Sequence, residues 1–381
     1  MTSRDRALRE RAAQVIPGGM YGHQSVAALP VGYPQFFSRA EGAYLWDADG
    51  NRLLDLMCAY GPQLFGYGNA RIDRAYVDQL AIGDAMTGPS ALMVDLAEAM
   101  VAMIGHADWA MFCKNGTDAN TMALMAARAQ TGRSGVVRAR GAYHGAAQWS
   151  NPRKHGVTSA DQASQHLCDY NDVASLEAAV AATGDDLAAI FAAPFRHDVF
   201  VDQAAPSPAY ARRARELADQ AGALLIVDDV RAGFRIARDC SWSVVGVQPD
   251  LSCWGKCIAN GHPISALLGT NSARRGAERI FVTGSYWFAA AAMAASLATL
   301  ELIRTTDYLE RIEALGVRLR AGLRNVRALT GFRCARPARR RCRSSCSTTT
   351  RSFASAMPGA CRWSRAASTS IPGTTCSSPP R

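Results

Sequence analysis

The stretch Leu224-Leu-Ile-Val-Asp228-Asp-Val230 decides the fold class, because a short apolar run ends there in two consecutive carboxylates. A second run, Pro249-Asp-Leu-Ser-Cys-Trp-Gly-Lys256, ends in a glycine and a lysine. Continuous apolar runs of this length are typical of strands buried on both faces of a parallel sheet. Charged groups at the ends of such strands meet at one edge of the sheet, where open α/β folds bind ligands.

The region around these two runs alternates apolar runs with segments of helical spacing, which predicts an α/β domain. We expect the buried strands to be parallel. The predicted strands are 109–113, 136–139, 187–192, 223–227, 250–254 and 266–268, and the predicted helices are 117–129, 173–181, 208–220 and 289–304.

The two ends of the chain have a different pattern. Residues 43–56 carry the turn Asp47-Ala-Asp-Gly50 between apolar segments, which predicts an antiparallel hairpin. An amphipathic helix at 308–329 would lead back to it, so a small α+β domain would be built from both chain ends. We therefore divide the chain into 1–58 (first part of the small domain), 59–305 (large domain), 306–332 (helix into the C-terminal small domain) and 333–381 (tail).

The positive net charge of the chain resides in the tail. The sequence has 42 basic and 32 acidic side chains, and ten arginines but no lysine or carboxylate lie in residues 333–381. Residues 1–332 are therefore electrically balanced, which argues against nucleic-acid or membrane binding through overall charge. Neither a signal peptide nor a membrane span is indicated, and we expect a cytoplasmic protein.

Cysteine is divided in the same way, with six residues scattered through the body and five in the tail. Cys253 and Cys257 form the one tight pair of the body and lack a second pair or a nearby histidine at zinc-ligand spacing. This spacing indicates neither a metal site nor a disulfide framework.

The tail is rich in Arg, Ser, Thr, Pro and Cys and has neither helical nor strand periodicity. One interpretation is a disordered basic arm. The other, which we favour, is a frameshift in a GC-rich gene, because charge, cysteine content and periodicity all change at the same point.

Two further motifs precede the carboxylates. Phe112-Cys-Lys-Asn115-Gly-Thr117-Asp118 reads as a strand, a tight turn and a helix start, which can bind an anion or simply cap a helix. Gly141-Ala-Tyr143-His144-Gly145 places an aromatic ring between glycines, either to lie against a flat ligand or to be buried in a turn.

The order of anion cradle, stacking aromatic, strand-end carboxylate and strand-end lysine resembles the class III aminotransferases. These are fold-type I enzymes that use pyridoxal 5'-phosphate, and the pattern is most similar to their glutamate-1-semialdehyde aminomutase branch. The resemblance rests also on Ile16-Pro-Gly-Gly19, on Trp46-Asp-Ala-Asp-Gly50 and on the run from Asp228 to Arg235. It implies a large domain with a mainly parallel seven-stranded sheet.

The resemblance implies a role for each matching residue. Lys256 would bind the cofactor covalently and, once freed, move the proton, while Asp228 would keep the pyridine nitrogen protonated. The remaining cofactor-binding positions would be Asn115, Gly116, Thr117, Tyr143, His144 and Val230. In a homodimer, Gly284 and Ser285 of the neighbouring subunit would complete the phosphate site.

Departures from the family pattern bear on the substrate. Ser25 stands where the aminomutase branch has an arginine for the substrate carboxylate, and Arg231 stands where other members have a glutamine. The sequence predicts exchange of an amino group between an amine or amino acid and an oxo acid. The alternatives are an intramolecular aminomutase and an inactive homologue with a disrupted C-terminal domain.

Overall fold

The computed structural model describes residues 3–25, 28–196 and 203–330. The tail at 333–381, and with it both interpretations of its origin, lies outside the described residues. The strands are β1 (Phe37–Glu41), β2 (Tyr44–Asp47), β3 (Arg52–Leu54), β4 (Trp109–Cys113), β5 (Gly135–Ala139), β6 (Gln165–Cys168), β7 (Leu187–Ala192), β8 (Leu224–Asp228), β9 (Leu251–Trp254) and β10 (Ser265–Gly269). The helices are α1 (Arg4–Val15), α2 (Ala70–Ile82), α3 (Leu92–Met103), α4 (Gly116–Thr131), α5 (Val173–Ala181), α6 (Pro208–Ala221), α7 (Arg274–Arg279), α8 (Ala290–Thr305) and α9 (Tyr308–Thr330).

A seven-stranded sheet forms the centre of the fold, in the order β4-β10-β9-β8-β7-β5-β6. The neighbouring pairs from β9 to β6 are parallel, which confirms the mainly parallel α/β fold. The expectation that all the buried strands are parallel is wrong for β10, which is antiparallel to both β9 and β4. A buried apolar run has the same composition in either direction, so the sequence pattern does not encode this reversal.

The central strands carry the hydrophobic core. Every residue of β7, β8 and β9 is buried, because helices cover both faces of the sheet. Helix α4 packs against the sheet with a row of alanines and with Met122 and Leu124. Strand β6, absent from the predicted set, lies at the sheet edge and is only partly buried, so its sequence lacks the apolar signal.

The hairpin predicted for 43–56 is confirmed as β2 and β3, and β1 adds a third antiparallel strand. The carboxylate of Asp47 fixes the turn between β2 and β3. Its Oδ1 accepts hydrogen bonds from the backbone amides of Asp49 and Asn51 at 3.0 and 2.8 Å. Such side-chain bonding to the backbone is the usual reason for aspartate in tight turns.

The start of helix α9 packs against the hydrophobic core of the large sheet. The hydroxyl of Tyr308 donates to the carbonyl of Phe234 at 2.9 Å, and Arg238 pairs with Glu310 at 2.7 Å. Within 3–25, 28–196 and 203–330, no helix has the length and apolar character needed to cross a bilayer.

Candidate active site

Asp228 and Lys256 lie beside each other at the edge of the central sheet. Asp228 is the last residue of β8 and pairs in register with Cys253 of β9, three residues before the lysine. Gly255 is extended, and Lys256 then turns with a left-handed φ of 52°. The parallel neighbours therefore bring a carboxylate and an amine to the same end of the sheet, as the sequence predicts.

The carboxylate of Asp228 is buried and held by specific donors. Its Oδ2 accepts hydrogen bonds from His144 Nδ1 and Asn120 Nδ2, both at 2.8 Å. Among the described residues, its Oδ1 accepts only the backbone amide of Val230, at 3.2 Å, and so keeps acceptor capacity. Asn120 was not among the predicted site residues. It lies one helical turn after Gly116, and that spacing is the signal that could have identified it.

The amine of Lys256 is poised to react as a base or nucleophile. Burial lowers its pKa below that of an ordinary lysine. The negative charge of Asp228 opposes this pKa shift, whereas the charges of Arg231 and Arg235 add to it. A lysine with a lowered pKa carries more neutral amine near neutral pH, and the neutral amine is the form that attacks a carbonyl.

The start of α4 is an anion cradle. Asn115 and Asp118 form a reciprocal capping box, so the cap is made by side chains. The backbone amides of Gly116 and Thr117 have no acceptor within the described residues. Two unpaired amides at the positive end of a helix match the oxygens of a phosphate group.

Val230 links this cradle to the lysine. Methyl groups of Val230 leave no room for a side chain at position 116, because a Cβ there would lie 2.6 Å from Val230 Cγ1. A Cβ at Gly255 would also lie 3.4 Å from that methyl group. The predicted residues Gly116, Val230 and Lys256 are therefore close neighbours.

Aromatic rings form the open side of the site. Tyr143 is 40% exposed and follows β5, directly before the buried His144. The ring of His23 stacks on Tyr60 at 5.7 Å and meets Tyr143 edge-on at 6.1 Å. Gly61 contacts the lysine stem, since a Cβ there would lie 3.1 Å from Lys256 Cδ. His23 and Gly61 had no local sequence signal of their own.

Gly284 and Ser285 show no hydrogen bond to Lys256, Asp228 or Thr117 within the part of the chain that the structure describes. Ser285 is exposed, and Gly284 lies so close to the Trp287 ring that a side chain would clash with it.

The described residues contain no cluster of three or more His, Cys, Asp or Glu side chains arranged to hold a metal ion. Their six cysteines are free, and five of the six are buried. The donor set at the sheet edge instead suits a small aromatic phosphate. It combines helix amides for the phosphate, a buried carboxylate for a ring nitrogen and an amine for a carbonyl carbon.

Residues 28–333 match the family model described as Aminotransferase class-III. The chain belongs to the class III aminotransferases. It is 58% identical to an aminopentol aminotransferase of Sphingopyxis macrogoltabida over 84% of this chain and 76% of that protein. It is also 33% identical to a glutamate-1-semialdehyde 2,1-aminomutase of Methanothrix thermoacetophila, over 84% of this chain and 76% of that protein.

A solved structure supports the same assignment. The FumI protein of Sphingopyxis sp. MTA144, in its internal aldimine form with pyridoxal phosphate, superposes with a TM-score of 0.85 and 57% identity. The match covers 86% of this chain and 79% of that one. The predicted family, fold class and cofactor are thus confirmed, and the chain is a pyridoxal-phosphate-dependent aminotransferase that exchanges an amino group between an amine or amino acid and an oxo acid.

Proposed function

We propose that this aminotransferase takes its amino group from a hydroxylated primary amine of the aminopentol type and passes it to an oxo acid. The observation that carries the proposal is the 58% identity to an aminopentol aminotransferase, against 33% to an aminomutase. Ser25 agrees with this choice. An amine without a carboxylate next to the amino carbon needs no guanidinium at that position, whereas glutamate 1-semialdehyde does.

The residues around Asp228 would hold the cofactor ring. His144 and Asn120 both donate to Oδ2, so they fix the orientation of the carboxylate and leave Oδ1 to meet the pyridine nitrogen. The amides of Gly116 and Thr117 would bind the phosphate, Asn115 would fix the turn before them, and Tyr143 and Val230 would lie on the two ring faces. When bound, pyridoxal phosphate supplies an electron sink for the pair released at the substrate carbon.

Lys256 would carry out the proton transfers. Its Nζ would hold the cofactor at its carbonyl carbon. As a free amine, Nζ would take the proton from the amine-bearing carbon of the substrate, and its lowered pKa keeps more of it in the neutral form that can accept a proton. The contact of Gly61 with the lysine stem restricts where Nζ can move.

We further propose that the enzyme acts as a homodimer, with Gly284 and Ser285 of a second copy completing the phosphate site. Support comes from the exposure of Ser285 and from the absence, among the described residues, of a hydrogen bond between it and Thr117. Sedimentation equilibrium tests the dimer. Ser285→Ala should weaken cofactor affinity without changing the stability of the cofactor-free subunit, and equal affinity in variant and wild type would contradict the shared site.

The central experiment compares Lys256→Ala with Lys154→Ala, because Lys154 is an exposed loop lysine. The purified chain is loaded with pyridoxal phosphate, reduced with borohydride and mapped by peptide mass. The cofactor should be fixed to the peptide that contains Lys256 in the wild type and in Lys154→Ala, and to no peptide in Lys256→Ala. A reduced adduct elsewhere, or one that persists in Lys256→Ala, would refute the assignment.

The substrate assay uses the loaded enzyme with an amino alcohol and a panel of oxo acids. Formation of the corresponding ketone that depends on added oxo acid supports amino exchange. Conversion of glutamate 1-semialdehyde without any oxo acid would instead establish the aminomutase. Absence of turnover in a protein that binds the cofactor would establish the inactive homologue.

A further inference from the structure

His23 lies at the mouth of the active site although it belongs to a distant part of the chain. It sits on the short turn Gly22–Gln24, between α1 and β1. Its ring stacks on Tyr60 with 26° between the planes and meets Tyr143 at 69°. Tyr60 precedes the glycine that touches the Lys256 stem, and Tyr143 precedes the histidine that holds Asp228. His23 therefore contacts both the segment that touches Lys256 and the segment that holds Asp228.

Hydrogen bonds of the neighbouring residue Gln24 fix the loop that carries His23. Gln24 Nε2 donates to the Tyr60 hydroxyl at 3.2 Å, and the backbone carbonyl of Gln24 accepts from Gln35 Nε2 at 2.6 Å. These bonds restrict the backbone that presents His23. A side chain on a fixed backbone can select a substrate by a single hydrogen bond.

The ring nitrogens of His23 are available to a substrate. Neither nitrogen has a hydrogen-bond partner within 3–25, 28–196 and 203–330, and the ring, although packed against Tyr60 and Tyr143, keeps exposed surface. Partial burial lowers its pKa, and the charges of Lys256, Arg153 and Arg231 lower it further. The imidazole is therefore neutral at neutral pH, and a neutral imidazole both donates to and accepts from a hydroxyl group.

We propose that His23 is a specificity-determining residue that hydrogen-bonds a hydroxyl group of the substrate amine. This inference rests on the proposed function, because it names the group by which a hydroxylated amine is chosen. Ser25 lies two residues further along the same loop. In this chain the loop would bind a substrate hydroxyl through His23, whereas in the aminomutase branch it would bind a substrate carboxylate through an arginine.

The test uses two amines that differ by one hydroxyl, 3-amino-2-butanol and 2-aminobutane, as probes. The cofactor-loaded chain is mixed with each amine without any oxo acid, and the second-order rate constant of the first half-reaction is followed by absorbance. His23→Phe keeps a ring for stacking but loses the hydrogen bond, whereas His23→Gln keeps the hydrogen bond. His155→Phe is the matched control, since His155 is an exposed loop residue.

The wild type should prefer the amino alcohol. The loss of one hydrogen bond between neutral groups should lower the rate constant of His23→Phe on 3-amino-2-butanol by about 3- to 12-fold. The same variant should stay within about twofold of the wild type on 2-aminobutane. His23→Gln should retain most of the preference, and His155→Phe should retain all of it. Circular dichroism confirms that each variant is folded.

Each other result overturns the inference. An equal loss of rate constant on both amines in His23→Phe would mean that His23 only maintains the shape of the loop. An unchanged preference for the amino alcohol in His23→Phe would mean that another group binds the hydroxyl. A wild type that reacts with neither amine would show that the proposed amine donor is wrong, and the inference would fall with it. That result is distinct from the first two, in which the wild-type enzyme reacts.

Discussion

The contact between the loop after β5 and the start of α4 gives a sharp test of the cofactor site. Gly145 has a φ of +99°, and a Cβ there would lie 2.5 Å from Thr117 Oγ1 and 2.9 Å from Thr117 Cα. The threonine side chain could rotate away, but its Cα could not. Gly145→Ala must therefore displace the backbone that begins the anion cradle.

The size of the effect follows from two separate costs. An alanine at positive φ costs about 1 to 2 kcal/mol, and an overlap that a packed backbone must absorb costs about 1 to 3 kcal/mol more. Gly50→Ala is the matched control, because Gly50 has a φ of +87° and an added methyl group there would meet no atom of the described residues within 4 Å. Gly50→Ala should thus lose only the roughly 1 to 2 kcal/mol that an alanine at positive φ costs. The difference in the free energy of unfolding between the two variants then measures the cost of the contact with Thr117.

The assay has two parts. Urea unfolding of the cofactor-free protein should show that Gly145→Ala is about 1 to 3 kcal/mol less stable than Gly50→Ala. Pyridoxal-phosphate affinity, measured by fluorescence titration, should fall about tenfold or more in Gly145→Ala and stay unchanged in Gly50→Ala. Equal stability of the two variants would refute the close contact. Lower stability with unchanged cofactor affinity would refute the role of Thr117 in the cradle.

Two further predictions concern buried polar groups. Burial lowers the pKa of His106 to about 4. Between pH 6.5 and 4 the histidine is therefore protonated in the unfolded state but mostly neutral in the folded state. The free energy of unfolding should fall by about 3 kcal/mol as the pH drops through this window. Burial raises the pKa of Asp229 to about 6, which makes stability rise as the pH drops and so opposes the effect of His106. The wild type and His106→Gln share Asp229, so the difference between their free energies of unfolding at each pH isolates the effect of His106. If the two proteins lose stability in parallel through this window, the assignment to His106 is wrong. The Oδ1 atom of Asn260 accepts the backbone amides of Leu64 and Phe65 at 2.8 and 2.7 Å, and its Nδ2 donates to the Gly66 carbonyl at 3.0 Å. Asn260→Ala removes all three bonds and should lower the free energy of unfolding by about 2 to 4 kcal/mol. Asn260→Asp keeps the acceptor for the two amides but loses the donor to Gly66, so it should lose less than Asn260→Ala. Urea unfolding of both variants would contradict this if their losses were equal.

The sequence predicts those parts of the site whose signal is local. β4 and β7 have the predicted bounds, and the predicted strand at 223–227 is β8 shifted by one residue, because each is a short apolar run that ends in a turn or a charge. Asp228 and Lys256 could be placed at one sheet edge because parallel strands end on the same side. The direction of β10 could not be predicted, since both faces of that strand are buried in either orientation.

The sequence pattern does not show which side chains hydrogen-bond to Asp228. His144 and Asn120 are 84 and 108 residues away along the chain, and each resembles an ordinary turn or helix residue by itself. Their grouping depends on α4 and the loop after β5 packing over the end of β8. Local pattern predicts which strand ends are charged, whereas tertiary packing decides which side chains meet those charges.

The turn beside Lys256 shows tertiary packing overriding local preference. Cys58, Ala59 and Tyr60 all have left-handed φ, at 49°, 53° and 62°, although none is glycine. Each such residue costs about 1 to 3 kcal/mol, so the turn would not form on its own. The carboxylate of Asp55 accepts the Ala59 amide at 3.1 Å, and a guanidinium N–H of Arg235 donates to the Gly61 carbonyl. Because these bonds hold the turn against its own preference, the Tyr60 ring faces His23 and Gly61 touches the lysine stem, which is the arrangement from which we infer substrate selection by His23.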